Sequence, residues 1–290
     1  MRNALNALAD ELRRLRDDGV KSVAVSDEGL LALRAAAKRR APGAPVQPPA
    51  SSDAPAAPPR KGAGPLLPPP PVVILPPGGK AERWAALNEQ VRDDATCRAH
   101  VRPGKRVVLG VGSLDARIMF VGEAPGADEE VRGEPFVGPA GQLLNRMIAG
   151  TGLARADVYI GNIMNWRPEM PVGADGNQVG NRPPTPEEMA YCLPYLRAQI
   201  EIVDPGLIVA LGATAAQGLL GHGAFRALGE IRGQWREFGG KPLMVTYHPS
   251  YILRNPTNRS KRLIWEDFLK VMERAGLPVS EKQRGYFLEK

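Results

Sequence analysis

Four short stretches of the chain combine residue types that could do chemistry. Gly122-Glu123-Ala124-Pro125-Gly126 forms a tight turn whose glycines let a ligand approach backbone N–H groups closely. The Glu123 carboxylate inside it could orient or activate a water, or simply be solvated in a structural turn. Pro135-Phe136-Val137-Gly138, with Gly141 close behind, sets an aromatic ring among glycines and prolines. Such a ring can stack on a nucleobase, worth about 1–3 kcal/mol, or fill a core. Asn162, followed by Arg167-Pro168, has an amide that could pair with a base edge through two complementary hydrogen bonds, or cap its own turn. His248-Pro249-Ser250-Tyr251-Ile252-Leu253-Arg254 holds one of only three histidines. Its imidazole could donate to a developing anion, or be structural on a basic loop. Ser250 could hold a phosphate, and Arg254, Arg259, Lys261 and Arg262 form a local basic cluster.

These stretches need elements to position them. Strand-like apolar runs cover 116–121, 157–163, 207–211 and 243–247, and helical patterns cover 139–150, 186–203, 213–220 and 260–275. Thr185-Pro186-Glu187-Glu188 is a strong helix start: Thr185 can cap, Pro186 suits the first turn, and Glu188 completes a capping box. Alternating strands and helices predict an α/β three-layer sandwich around a mostly parallel, four-stranded sheet. In such sheets the working residues gather where strand C-termini open into loops; Glu123 and His248 follow predicted strands, and Asn162 lies at the exit of another.

The predicted catalytic domain therefore spans 81–278, followed by a C-terminal tail at 279–290. Upstream, 14 of the 29 prolines fall within 41–80, which predicts a semi-rigid, solvated linker. Its run Val72-Val73-Ile74-Leu75 could dock on a surface. In 1–40, Leu5, Leu8, Leu12 and Leu15 recur at helical spacing, and a second helix ends in Lys38-Arg39-Arg40. This small helical region reads equally as a flexible appendage or as a docking segment for a protein partner or DNA.

Composition removes several classes. The chain has 290 residues with 38 basic and 31 acidic side chains. It holds no run of about 18 apolar residues, so no membrane span is expected. Two cysteines cannot build a disulfide scaffold, and the first residues lack an apolar signal core, so a cytoplasmic protein is expected. The basic balance suggests nucleic acid, but its location weakens the hint. Residues 1–40 carry nine basic and six acidic groups, 41–80 three and one, and 81–290 only 26 and 24.

Together, the four stretches resemble the uracil-DNA glycosylase superfamily, most closely its family 4, over roughly 94–275. Asn181-Arg182-Pro183-Pro184 through Gly212 also looks like the family's central helix and third strand. The resemblance implies that Phe136 stacks on an extruded uracil and that Asn162 reads N3–H and O4. It implies that His248 hydrogen-bonds O2 and that Glu123 handles the attacking water and the cationic sugar. Gly122 and Ala124 would line the pocket. Ser250, Tyr251, Ile252, Arg254 and Arg259 would contact DNA, with Ile252 the aligned plug that fills the stack when the base is flipped. The expected partner is uracil-containing DNA, met by a monomer.

The chain also departs from that family. Family 4 enzymes usually carry a four-iron cluster on four cysteines, and here only Cys97 and Cys192 match. His100 and Trp166 occupy the other two positions, so no cluster and no other cofactor is expected. A zinc site from Cys97, His100 and Cys192 would lack a fourth ligand. One relative bonds covalently to DNA through a histidine in the loop after the Asn motif, whereas 170–182 here contains none, so turnover is expected. Family 1 has a methyl-excluding tyrosine where this chain has Gly126, which leaves room for other deaminated bases. No lysine occurs in the matched motifs, so a monofunctional hydrolase is expected rather than a lyase. The rival reading is a non-catalytic reader of damaged or abasic DNA, which would not need Glu123.

Overall fold

In the computed structural model, which describes residues 67–173 and 178–288, the four predicted strands lie side by side and parallel. They are β2 (Ile118–Gly122), β3 (Tyr159–Asn162), β4 (Leu207–Leu211) and β6 (Lys241–Thr246). Two short antiparallel strands extend the sheet at its edges: β1 (Val111–Gly112) beside β3, and β5 (Trp235–Phe238) beside β6. The order across the sheet is β1-β3-β2-β4-β6-β5.

Ten helices surround this sheet: α1 (Lys80–Asp93), α2 (Ala95–Ala99), α3 (Ala127–Arg132), α4 (Pro139–Gly150), α5 (Pro186–Val203), α6 (Ala213–Leu220), α7 (Leu228–Ile231), α8 (Ser250–Arg254), α9 (Asn258–Arg274) and α10 (Glu281–Arg284), counted among the described residues. The Thr185 capping box is made: its hydroxyl accepts from the Glu188 N–H at 3.2 Å, and Glu188 accepts from the Thr185 N–H at 2.7 Å.

Strand periodicity divides the core into two. Met119, Val121, Ile208, Ala210, Leu243 and Val245 face one side, with α1, α5 and α6. Ile118, Phe120, Leu207, Val209, Leu211 and Met244 face the other, with α4 and α9. Because both faces are covered, the strands are apolar throughout rather than alternating. Every residue of β2, β3 and β4 is buried.

Two predicted boundaries change. The end of the predicted linker is docked: Leu67, Val73 and Leu75 pack against the core, and the Ile74 N–H and C=O both pair with the Gln90 amide. At the C-terminus, Val279 and Tyr286 pack on the α9 side of the core. There the Trp265 indole N–H donates to the Gln283 carbonyl at 2.6 Å. The predicted tail is thus a packed part of the domain as far as it is described. The predicted helices of 1–40 and the linker up to residue 66 lie outside the described residues. Among the described residues, no helix is long and apolar enough to cross a membrane.

Candidate active site

The parallel register places Gly122 directly beside Asn162 at the C-terminal ends of β2 and β3. The ladder continues past them: the Ile163 and Met164 N–H groups donate to the Gly122 and Glu123 carbonyls at 3.0 and 3.1 Å. This holds the backbone of Glu123 before its turn begins. A Cβ on Gly122 would collide with the Asn162 amide oxygen and the Phe136 ring, so glycine here is what lets the two side chains meet. Asn162 is buried, and its Oδ1 has no hydrogen-bond partner.

Phe136 sits at φ +54°, a left-handed backbone that a bulky residue adopts only when its surroundings hold it there. Three neighbours do so. Arg155 donates to the Pro135 and Phe136 carbonyls at 2.6 and 3.1 Å. Glu129 accepts from the Val137 and Gly138 N–H groups, both at 2.9 Å. Gly141 lets α4 approach so closely that a Cβ there would run into the Phe136 carbonyl. The other oxygen of Glu129 accepts from the Gly126 N–H at 3.0 Å, so one carboxylate ties the Glu123 turn to the Phe136 loop.

His248 follows β6, and its ring centroid lies 5.5 Å from that of Phe136. The Ser250 backbone N–H donates to His248 Nδ1 at 3.2 Å, and the Ser250 hydroxyl lies 2.8 Å from the same nitrogen. A backbone N–H can only donate, so Nδ1 must accept, and the neutral ring carries its proton on Nε2. Burial, reinforced by the charge of Arg254, pulls the imidazole down from 6.5 to about 4. Burial also raises the Glu123 carboxyl above its ordinary 4.5, although a hydrogen bond with Thr214 works the other way.

Of the predicted residues, Glu123, Ala124, Phe136, Asn162 and His248 line one cavity of about 570 Å³, joined by Ser250, Tyr251 and Arg254 at its edge. Gly122, expected on the pocket wall, is not among the residues that line it. Arg259 is exposed in the first turn of α9 and does not line the cavity. Thr214, Glu129 and Arg155 were not among the predicted site residues. A Gly-x-x-Glu capping pattern at 126–129 is visible in the sequence, but nothing local marks Arg155 or Thr214.

A comparison with protein families matches residues 109–269 to the uracil DNA glycosylase superfamily. The chain belongs to this superfamily. It is 42% identical to a type-4 uracil-DNA glycosylase of Thermotoga maritima over 192 residues, covering 66% of this chain and 94% of the relative. A type-4 uracil-DNA glycosylase of Archaeoglobus fulgidus is 40% identical over 200 residues, with the same shares. A type-5 uracil-DNA glycosylase of Thermus thermophilus is 29% identical over 188 residues, 59% of this chain and 79% of the relative.

Two expectations for the segment after β6 are corrected by the structure. Ile252, the aligned plug, is 7% exposed and packs in the core with α4 and α9, so it cannot enter a base stack without leaving that core. Its neighbour Leu253 is 46% exposed. The expected basic cluster is also thinner than its sequence. The Arg262 guanidinium bonds Glu266 and the carbonyls of Arg284 and Tyr286, and the Lys261 ammonium sits over the Phe287 ring. Arg254 and Arg259 remain outward-facing.

Cys97 and Cys192 are buried free thiols. The fully buried Trp166 indole stacks on the His100 ring, with centroids 4.9 Å apart and planes 12° from parallel. Tyr191 packs against the same indole.

Proposed function

We propose that this domain flips uracil out of DNA and hydrolyses its N-glycosidic bond, leaving an abasic site for base-excision repair. The observation that carries the reading is the buried, unpartnered Asn162 Oδ1 in the same cavity as a histidine presenting N–H at Nε2. Uracil offers O2, N3–H and O4 along one edge. Asn162 accepts N3–H and donates its amide N–H to O4, while His248 donates to O2. Cytosine would turn a lone pair at N3 toward Oδ1 and is disfavoured. Phe136 stacks on the base.

In the reaction the C1′–N1 bond breaks and its electron pair stays on the base, delocalised toward O2. The His248 N–H stabilises that charge, an effect worth about 3–4 kcal/mol if it matches an oxyanion-hole donor. The Glu123 carboxylate faces the cationic sugar and takes a proton from the water that adds to C1′. The raised Glu123 pKa and its Thr214 contact support a group that handles a proton, which a non-catalytic reader would not need. Leu253, rather than Ile252, fills the gap in the stack, and Arg254 and Arg259 contact phosphates. Gly126 puts no side chain on the cavity wall, so the range extends to other deaminated bases.

We further propose that the protein works without an iron–sulfur cluster. The residues at the four positions do not fit one: two thiols remain, and an indole and an imidazole are stacked where the others would be. Two buried free thiols also fit a reducing cytoplasm.

The test is base release from uracil-containing DNA, read as alkali-labile strand breaks. Wild type should release uracil, while Glu123→Gln and His248→Ala should each bind the DNA and release uracil far more slowly. Wild-type protein that binds but releases nothing would establish the reader instead.

A further inference from the structure

Residues 81–290 are nearly neutral, with 26 basic and 24 acidic side chains, yet the cations are unevenly placed. Arg92, Arg98, Arg102, Lys105, Arg106 and Arg132 line a second cavity of about 700 Å³. Glu134 is the one carboxylate among its lining residues. Arg102 is committed to the Met170 carbonyl and Gln178, and Lys105 lies 3.9 Å from Glu130. Arg92, Arg98, Arg106 and Arg132 are exposed, and their guanidinium groups have no hydrogen-bond or ion-pair partner among the described residues. Gathering like charges costs self-repulsion, which a polyanion lying between them would reverse.

A small recess lies between the groove and the catalytic cavity. Arg102 and Lys105 also line this recess against Glu130 and Arg167, and Ala127 lines both the recess and the catalytic cavity. Helix α3 spans the same gap, with Ala127 at its start on the catalytic side and Arg132 at its end in the basic groove. Five helical steps of about 1.5 Å separate them by about 8 Å, close enough for one strand to reach from one to the other. Several cations share this one cavity, so a polyanion could meet more than one of them at once.

We propose that this groove holds the sugar–phosphate backbone of the substrate strand beyond the catalytic cavity, as a second backbone site in addition to the Arg254 side. The inference rests on DNA being the substrate, but its test does not require base release. Arg92, Arg106 and Arg132 can be changed together to glutamine without touching the catalytic cavity or any intramolecular pair. Binding of uracil-free duplex DNA, followed by fluorescence anisotropy against salt, reads the groove directly. Losing three phosphate contacts should flatten the slope of log K against log salt by about 2.7, so a fourfold rise in salt should cost the variant roughly 40-fold less affinity than it costs the wild type.

On uracil-containing DNA the variant should keep its kcat and show a raised KM. On a short single-stranded oligonucleotide that reaches only the catalytic cavity, it should match the wild type. Equal salt slopes for the two proteins would overturn the proposal. So would an equal loss on short and long DNA, which would mean a diffuse field rather than a strand path. If the wild type released no base yet its slope still exceeded the variant's, the groove would stand and the glycosylase reading would fall.

Discussion

His248 gives the sharpest electrostatic prediction. The folded ring accepts a proton only near pH 4, whereas an unfolded histidine titrates near 6.5. The gap corresponds to about 3 kcal/mol of differential stability, taken as an upper bound. Its sign follows from proton counting. Between pH 6.5 and 4 the unfolded chain binds a proton at this residue that the folded chain refuses, so the histidine's contribution falls as pH drops through that window. At pH 5 the loss reaches about 2 kcal/mol relative to pH 7. Other buried acids act in the opposite direction, since burial raises both Glu123 and Asp267. The comparison must therefore be between wild type and His248→Gln, each unfolded in denaturant across the pH range. The stability difference between them should be flat above pH 7 and shrink by about 2 kcal/mol by pH 5. Histidine side-chain nitrogen NMR on the same samples should show His248 protonated at Nε2 and bare at Nδ1. A ring titrating near 6.5, or carrying its proton at Nδ1, would refute the reasoning.

Other consequences can be checked with single variants. Because His248 stays neutral well below pH 7, the acid limb of kcat/KM should belong to Glu123. It should fall above the ordinary carboxyl value of 4.5 and disappear in Glu123→Gln. Glu129→Ala strands three N–H groups that now share one carboxylate and should lower stability by about 2–3 kcal/mol with a matching loss of activity, measured by denaturation and base release. Unchanged values would show that the two loops hold themselves. Gly122→Ala pushes a methyl against Asn162 and Phe136 and should cost about 1–3 kcal/mol in stability and most of the base release. Iron analysis and the visible spectrum should show a colourless protein with no stoichiometric iron, and a brown protein would contradict the donor-set argument.

Much of this arrangement was legible in the sequence because glycine and proline mark strand exits strongly. Glu123, Asn162 and His248 each follow an apolar run, and parallel strands bring such exits to one edge. β4 and α4, α5 and α6 matched their expected bounds because each has sharp punctuation or a long apolar pattern. β1, only two residues long, and the half-exposed β5 carry too little apolar signal to stand out.

The misplaced details were those set by contacts distant in sequence or by helical phase. Ile252 and Leu253 are adjacent, and only the roll of α8 decides which one enters the core. Arg262 reads as a free cation until residues 22 and 24 positions later return to accept from it. The cations of the second groove come from α1, α2, the approach to β1 and the end of α3, so no single window shows their convergence.

The central claim is tested most directly by incubating the purified protein with DNA containing a single uracil and measuring free base. The account predicts that uracil is released over many turnovers without added metal, and that cytosine in the same position is untouched. Tight binding with no free uracil, or release that depends on added iron, would contradict it.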